Sequence, residues 1–240
     1  VIRFVTETGS TNTDLASELR AGMAVPEGEW LVADRQVSGR GRQGRAWFDG
    51  YGNFMGSTVV HLSPRDPNPA TLALVAGVAA YEAVSGVLAD PSLLKLKWPN
   101  DLLLRNAKLA GILLEREGNA VIVGMGVNLV AAPDLPDRRT IAVTNFGPPP
   151  DREIFARSLS YAFDQELDRW RTYGLEPLIR RWESVAHPRG ASLTVNVPGE
   201  QRIKGTFDGL TAEGTLLLRL EDGSTRAIHA GDVMLANEGN

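Results

Sequence analysis

Apolar positions along the chain change period several times, and each change marks an element. Val1 to Val5 reads as a short strand, and Ser10-Thr11-Asn12 supplies N-cap chemistry for a helix over about residues 13 to 21, closed by Gly22. Residues 30 to 37 and 53 to 62 read as strands on either side of a glycine-rich loop. The alanine-rich run from Thr71 to Leu88 suits a buried helix. Leu93 to Lys97, Leu102 to Leu104, Leu109 to Glu115 and Val121 to Gly124 follow as strands. Turns fall at Pro99-Asn100-Asp101, Arg105-Asn106 and Gly118-Asn119. After Pro148-Pro149-Pro150, the positions Ile154, Phe155, Leu159, Phe163, Leu167 and Trp170 recur at helical spacing, and a second helix covers Glu176 to Ala186. His187-Pro188-Arg189-Gly190 ends helical character. Short β-rich pieces then run over 192–197, 201–210, 215–221 and 225–228, the spacing of a small barrel, which places a domain boundary near residue 188.

Composition narrows this picture. The 240 residues can bury one good core with room for a small module, and 43% hydrophobic with 22% charged residues is ordinary for a soluble globular chain. A net charge of −4 gives no global pull toward nucleic acid or anionic lipid, so any basic site is local. The chain has no cysteine, which removes disulfides, thiolate metal sites and thiol nucleophiles and suits a reducing cytoplasm. The longest apolar stretch, Leu72 to Ala80, is far shorter than the roughly 20 residues that span a bilayer, and no targeting segment opens the chain.

The strongest chemical feature is Gly39-Arg40-Gly41-Arg42-Gln43-Gly44-Arg45, followed by Ala46 and Trp47. Glycines allow close backbone approach, and guanidinium forks match phosphate oxygens two at a time. The glycines also satisfy Gly-x-Gly-x-x-Gly, but a dinucleotide site needs a helix next. Residues 46–60 instead carry four aromatics, three glycines and a β-branched end, which reads as loop and strand. A Walker A loop needs Lys and then Ser or Thr after Gly44, where the chain has Arg45 and Ala46. A solvated basic loop without a ligand is the bland alternative.

Three further segments are each weak alone. Lys97-Trp98-Pro99-Asn100-Asp101 sets an ammonium, an amide and a carboxylate between apolar strands. Asp101 has a cheap explanation as an Asx turn, while Lys97 in an apolar strand needs a partner or an anionic ligand. Lys108 opens the apolar run to Glu115 and would be unremarkable by itself. Gly124-Met125-Gly126-Val127-Asn128 ends a strand, where the glycines mark either a bulge or a ligand and Asn128 either a turn or a contact with an adenine or ribose.

Taken in order, Gly9 to Asn12, Gly39 to Trp47, Lys97 to Asp101, Lys108 to Glu115 and Gly124 to Leu129 closely resemble biotin protein ligase, over nearly the whole chain. The related lipoate ligases share the fold but lack the arginine-glycine loop. The resemblance implies an α+β fold. A mixed central β-sheet with helices forms a biotin/lipoate ligase-like catalytic domain over residues 1–187, and a small SH3-like β-barrel occupies 188–240. Only nine residues precede Ser10, so the resemblance is to the form without an N-terminal repressor domain.

The implied reaction makes biotinyl-5'-AMP from biotin and ATP with Mg²⁺, then transfers biotin to a lysine of a biotin carboxyl carrier protein of a biotin-dependent carboxylase. By the same resemblance, Lys108, Arg42 and Asp101 are the catalytic candidates, Asp101 for orienting or deprotonating the acceptor lysine, with a role toward Mg²⁺ left open. Ser10, Thr11, Asn12, Gln36, Arg40, Gly41, Arg42, Lys108, Gly111 and Leu113 are expected around biotin. Arg40, Arg42, Arg45, Trp47, Asn100, Lys108 and Asn128 are expected around ATP, with Trp47 over adenine. No protein metal cage is assigned, Mg²⁺ being held mainly by substrate phosphates. Lipoate or octanoate as substrate is the alternative within the fold. A non-catalytic nucleotide- or nucleic-acid-binding module is the alternative outside it, disfavoured because Phe207 is the sole aromatic of the barrel segment. No nucleic acid or membrane partner is expected, and a homodimer through a sheet edge is left open.

Overall fold

The computed structural model describes residues 1–235; the last five residues of the expected barrel segment lie outside the described residues. Seven strands form the main sheet: β1 (Ile2–Thr8), β2 (Trp30–Gln36), β3 (Phe54–His61), β4 (Leu94–Lys97), β5 (Asp101–Leu104), β6 (Ala107–Glu117) and β7 (Ala120–Val127). Their order is β1-β2-β3-β7-β6-β5-β4. Only β1 and β2 run parallel, joined through helix α1 (Thr11–Arg20), and every other pair is antiparallel. The sheet is therefore mixed, as expected.

Period-two alternation decides which face each strand gives to which layer. Trp30 and Val32, Phe54 and Val60, and Val121, Val123, Met125 and Val127 point into the main core. Helices α2 (Leu72–Ser85), α3 (Arg152–Tyr173) and α4 (Leu175–Ser184) cover that core. Trp30 meets Phe163 edge-on with ring centroids 5.6 Å apart, and Phe54 meets Phe155 at 5.7 Å. The alternate residues Leu31, Val59, Ala120 and Ile122 form a smaller core with Leu15 of α1 on the opposite face. Because α1 is only ten residues long, it leaves part of that face uncovered, and the site lies there.

Helix α2 is apolar on nearly all sides because it lies between the sheet and the two later helices. Helix α3 opens on an Asp151 cap that accepts from the Ile154 N–H at 2.9 Å, and Gly174, at φ 74°, ends it. The final strands are β8 (Ser192–Asn196), β9 (Ile203–Leu210), β10 (Leu216–Arg219), β11 (Thr225–Ile228) and β12 (Asp232–Leu235). They form an antiparallel sheet ordered β11-β10-β9-β8-β12. Strand β12 had no counterpart in the sequence reading, because four residues that follow Gly231 and open on Asp232 carry too little alternation to stand out. This sheet shares the main hydrophobic core: Trp182 of α4 packs on Phe207 at 6.4 Å, and the Trp98 indole donates to the Gly214 carbonyl at 3.1 Å.

Candidate active site

Register sets the floor of the site. Gly126 of β7 pairs with Gly111 of β6, Gly111 with Asp101 of β5, and Asp101 with Lys97 of β4. Residues directly opposite one another share a face, so this row crosses the sheet on the side that α1 leaves open. The two glycines make a flat shelf, and Trp47 lies on it. A Cβ on Gly126 would come within 2.2 Å of the Trp47 ring, and one on Gly111 within 2.9 Å. Leu113 continues the same face, paired with Gly124.

Strict alternation would turn Lys108 into the main core with Ala110 and Ile112. A β-bulge prevents this, since Leu102 pairs with Ala110 but Leu103 pairs with Lys108, leaving Leu109 as the extra residue. The bulge re-aims Lys108 onto the face of Asp101. Its ammonium then stands 2.6 Å from Asp101 Oδ1 and 5.8 Å from the centroid of the Trp47 ring, while Lys97 lies 3.5 Å from Asp101 Oδ2. Burial pushes the Asp101 carboxyl up, but Lys108 and Lys97 outweigh it and hold the group below the usual carboxylate range. Two cations and one carboxylate leave a net positive charge beneath the shelf.

The arginine loop folds as a short hairpin, with Trp47 N–H donating to the Gly39 carbonyl at 2.9 Å and Gly41 N–H to the Arg45 carbonyl at 2.7 Å. Gln43 and Gly44 turn it at φ 58° and 72°. Its arginines diverge. Arg42 donates to Asn100 Oδ1 at 3.1 Å and to the Gly231 carbonyl at 3.4 Å and lies 4.0 Å from Asp232. Arg45 pairs with Asp232 and donates to Gln43, while Arg40 reaches Thr13 of α1 at 2.5 Å. Asn100 is itself fixed by donating to the Ile112 carbonyl at 2.6 Å.

Ser10 caps α1, yet its hydroxyl makes no bond to the helix it opens. The next two residues are buried in a polar cluster: Thr11 N–H donates to Gln36 Oε1 at 2.7 Å, and the Asn12 amide donates to Glu115 at 2.7 Å. Gln36 is held from the other side by Asp49, which accepts its backbone N–H at 2.9 Å. Asn128, buried two residues beyond Gly126, has its amide donating to the Ile141 carbonyl at 3.2 Å. The segment around it docks on the start of β6, where Lys108 N–H donates to the Arg139 carbonyl at 2.8 Å.

The structure thus gathers Lys108, Asp101, Gly111, Trp47, Arg42 and Asn100, and places Ser10, Thr11, Asn12 and Gln36 at the mouth of α1. Arg40 is engaged with Thr13, and Asn128 with the Ile141 carbonyl. The sequence reading missed Ser57, Asp232 and Arg138, and quoted Glu115 only as the end of a strand. The guanidinium of Arg138 feels Asp137 first and then Asp101 and Asp232, which together hold it strongly protonated. Ser57, Asp232 and Arg138 sit in no motif and Glu115 only closes the run from Lys108, so contacts distant in sequence are what reveal Ser57, Glu115 and Asp232.

Residues 5–129 match the biotin/lipoate A/B protein ligase family, and residues 194–235 match the biotin protein ligase C-terminal domain. The chain belongs to the biotin/lipoate A/B protein ligase family. It is 35% identical to the biotin--[acetyl-CoA-carboxylase] ligase of Paracoccus denitrificans over 90% of this chain and 93% of that one. Identity to the ligase of the same name from Mycobacterium tuberculosis is 32%, over 96% and 87%. Among solved structures, the biotin protein ligase from Aquifex aeolicus in complex with biotin and ATP superposes with a TM-score of 0.84 at 27% identity, covering 98% of this chain and 97% of that one.

Proposed function

We propose that the chain condenses biotin with ATP to biotinyl-5'-AMP and pyrophosphate, and then passes biotin to a lysine of a biotin carboxyl carrier protein. The observation that carries this reading is the re-aimed Lys108 beside the Gly111–Gly126 shelf, with Arg42 held over the same side by Asn100. Biotin carboxylate and ATP are both anions, and their approach needs positive charge that is fixed before the reaction. Lys108 is assigned to the biotin carboxylate and Arg42 to the α-phosphate. The biotin carboxylate oxygen attacks the α-phosphorus, and the bond to pyrophosphate breaks.

In the second step the neutral carrier amine attacks the acyl carbon, the acyl–phosphate bond breaks, AMP leaves, and the surplus proton on nitrogen passes to solvent. A carboxylate held below its usual range is a weak base, which favours Asp101 as the group that orients Lys108 and the incoming amine over one that removes a proton. Trp47 is assigned to cover the bound adenylate, and Ser10, Thr11 and Gln36 to the ureido ring.

Mg²⁺ belongs to this chemistry as a companion of the nucleotide. The nearby carboxylates do not fit a resident ion: Asp101 is taken by two lysines and Asp232 by two arginines, and the described residues hold no cluster of three candidate ligands. Residues 1–187 are read as the catalytic domain and 188–240 as the appended domain, with Asp232 contributing to the loop. No described helix is long and apolar enough to cross a membrane. The deciding experiment incubates a biotin carrier domain with the protein, ATP, Mg²⁺ and biotin and measures intact mass. A single biotinyl increment that requires ATP is expected, and its absence with an active carrier would overturn the reading.

A further inference from the structure

Beneath the expected ring pocket runs a chain of buried polar groups whose hydrogen-bond directions can be assigned from one end. Glu115 Oε2 accepts from Asn12 Nδ2 at 2.7 Å. A carboxylate fixes which end of the Asn12 amide faces it, so Asn12 Oδ1 points the other way, where Ser57 Oγ donates to it at 2.6 Å. Ser57 has one hydroxyl proton and has now spent it. The contact of 2.6 Å between Ser57 Oγ and Thr11 Oγ1 therefore takes its proton from Thr11. Gln36 Oε1, 3.1 Å from Thr11 Oγ1, is satisfied instead by the Thr11 backbone N–H at 2.7 Å, which turns the Gln36 Nε2 hydrogens the other way.

Burial makes these directions costly to reverse. Asn12 is 4% exposed and Ser57 0%. Gly124, paired with Ser57 across β3 and β7, leaves the room for the amide, since a Cβ there would stand 2.2 Å from Asn12 Oδ1. No other residue type fits beside the chain.

We propose that Ser57, oriented by Glu115 through Asn12, is a positioning residue that fixes the polarity of the head-group pocket. It takes the Thr11 proton, so that Thr11 offers lone pairs only and Gln36 offers N–H only. A head group then needs both N–H donors and a carbonyl acceptor, which a cyclic urea has and a dithiolane or a plain alkyl acid lacks. A pocket whose buried polar atoms go unpaired rejects a ligand strongly. This rests on the biotin reading above and explains how that site would exclude the other acids of the fold.

The test titrates the purified full chain with biotin alone, by calorimetry, and pairs this with steady-state kinetics. In Ser57→Ala the Asn12 carbonyl loses its donor and Thr11 recovers a free proton. The biotin dissociation constant is expected to rise about tenfold, as for one lost buried hydrogen bond, and KM for biotin with it. KM for ATP should stay close to wild type, while the melting temperature of the free protein falls by several degrees, because the buried Asn12 carbonyl is left without its donor. Glu115→Leu, at a half-buried position, should follow Ser57→Ala, whereas Glu115→Gln, which still offers Asn12 an acceptor, should restore most of the affinity. Equal biotin binding by wild type and Ser57→Ala overturns the inference and leaves the ligase reading standing. A comparable rise in KM for ATP and KM for biotin overturns it in favour of a structural role. A wild-type protein that binds no biotin overturns the reading on which it rests.

Discussion

Lys108 Nζ stands 2.6 Å from Asp101 Oδ1, and the bulge at Leu109 is what lets the two meet. The pair is buried on the Asp101 side, where the carboxylate also answers Lys97. Asp101→Asn keeps the shape and removes the charge, leaving two ammonium groups facing an amide. A loss of about 3 kcal/mol in stability is expected, the low end for breaking a buried pair because Lys108 keeps some exposure. The pH dependence follows from the sign of the shift. Folding lowers the Asp101 pKa, so its contribution is complete above the unfolded value of about 4 and is lost as pH falls through the folded value. Thermal melts of wild type and variant should differ by a constant amount above about pH 5 and converge in acid. A gap that widens in acid would show that Asp101 is not held as described.

The glycine shelf gives a ranked prediction. Gly126→Ala drives a methyl into the body of the Trp47 indole at 2.2 Å, flanked by ring atoms at 2.4 and 2.5 Å, so the ring must lift. Gly111→Ala meets one ring atom at 2.9 Å and otherwise the end of the Lys108 side chain, which can swing. Both variants should fold, with overpacking costs of about 1–3 kcal/mol, and biotinyl-AMP binding should fall further in Gly126→Ala than in Gly111→Ala. Calorimetry on the two proteins checks the order, and the reverse ranking would refute the placement of Trp47.

What could be read from the chain and what could not divide along physical lines. The strands β2, β3, β6 and β7 announced themselves by apolar runs bounded by turn residues, and the arginine loop by composition, because both signals are local. Ser57 gave no signal: inside Phe54–His61 it reads as one more strand residue, and its neighbours Thr11 and Asn12 are some 45 positions away in sequence. Asp232 is hidden for the same reason, since its partners Arg42 and Arg45 lie in the first quarter of the chain. Lys108 was legible as a candidate, but its direction was not. Alternation assigns it to the core, and the bulge that overrules alternation depends on pairing with β5.

Arg42 is held by the half-buried Asn100 and Asp232, and its contact with the carbonyl of buried Gly231 is long at 3.4 Å. Arg42→Ala should therefore cost little stability, within about 1 kcal/mol for such pairs. Its effect should fall on the adenylate, whose phosphate loses a guanidinium fork, so that biotinyl-AMP dissociates about tenfold faster or more. Stopped-flow release of the adenylate, with a melting curve alongside, separates the two. An unchanged release rate would remove Arg42 from the assigned role.

Asp232 ties the arginine loop to the appended sheet before any nucleotide arrives. Its carboxylate engages Arg45 and lies 4.0 Å from Arg42, so it occupies the cations that a phosphate would use. Under the proposed assignment of Arg42 to the phosphate, adenylate binding exchanges one anion for another. Asp232→Asn removes the competitor, and two effects of one cause should follow. Amide exchange across residues 39–47 should quicken in the free protein, because the hairpin loses its anchor, and slow again when biotinyl-AMP orders it. KM for ATP should fall by up to about fivefold, the range that a half-exposed ion pair supports. Faster exchange with a raised KM for ATP would instead make Asp232 a support that the bound state retains. Equal protection of the loop with and without adenylate, in wild type, would show that the loop does not change order on binding at all.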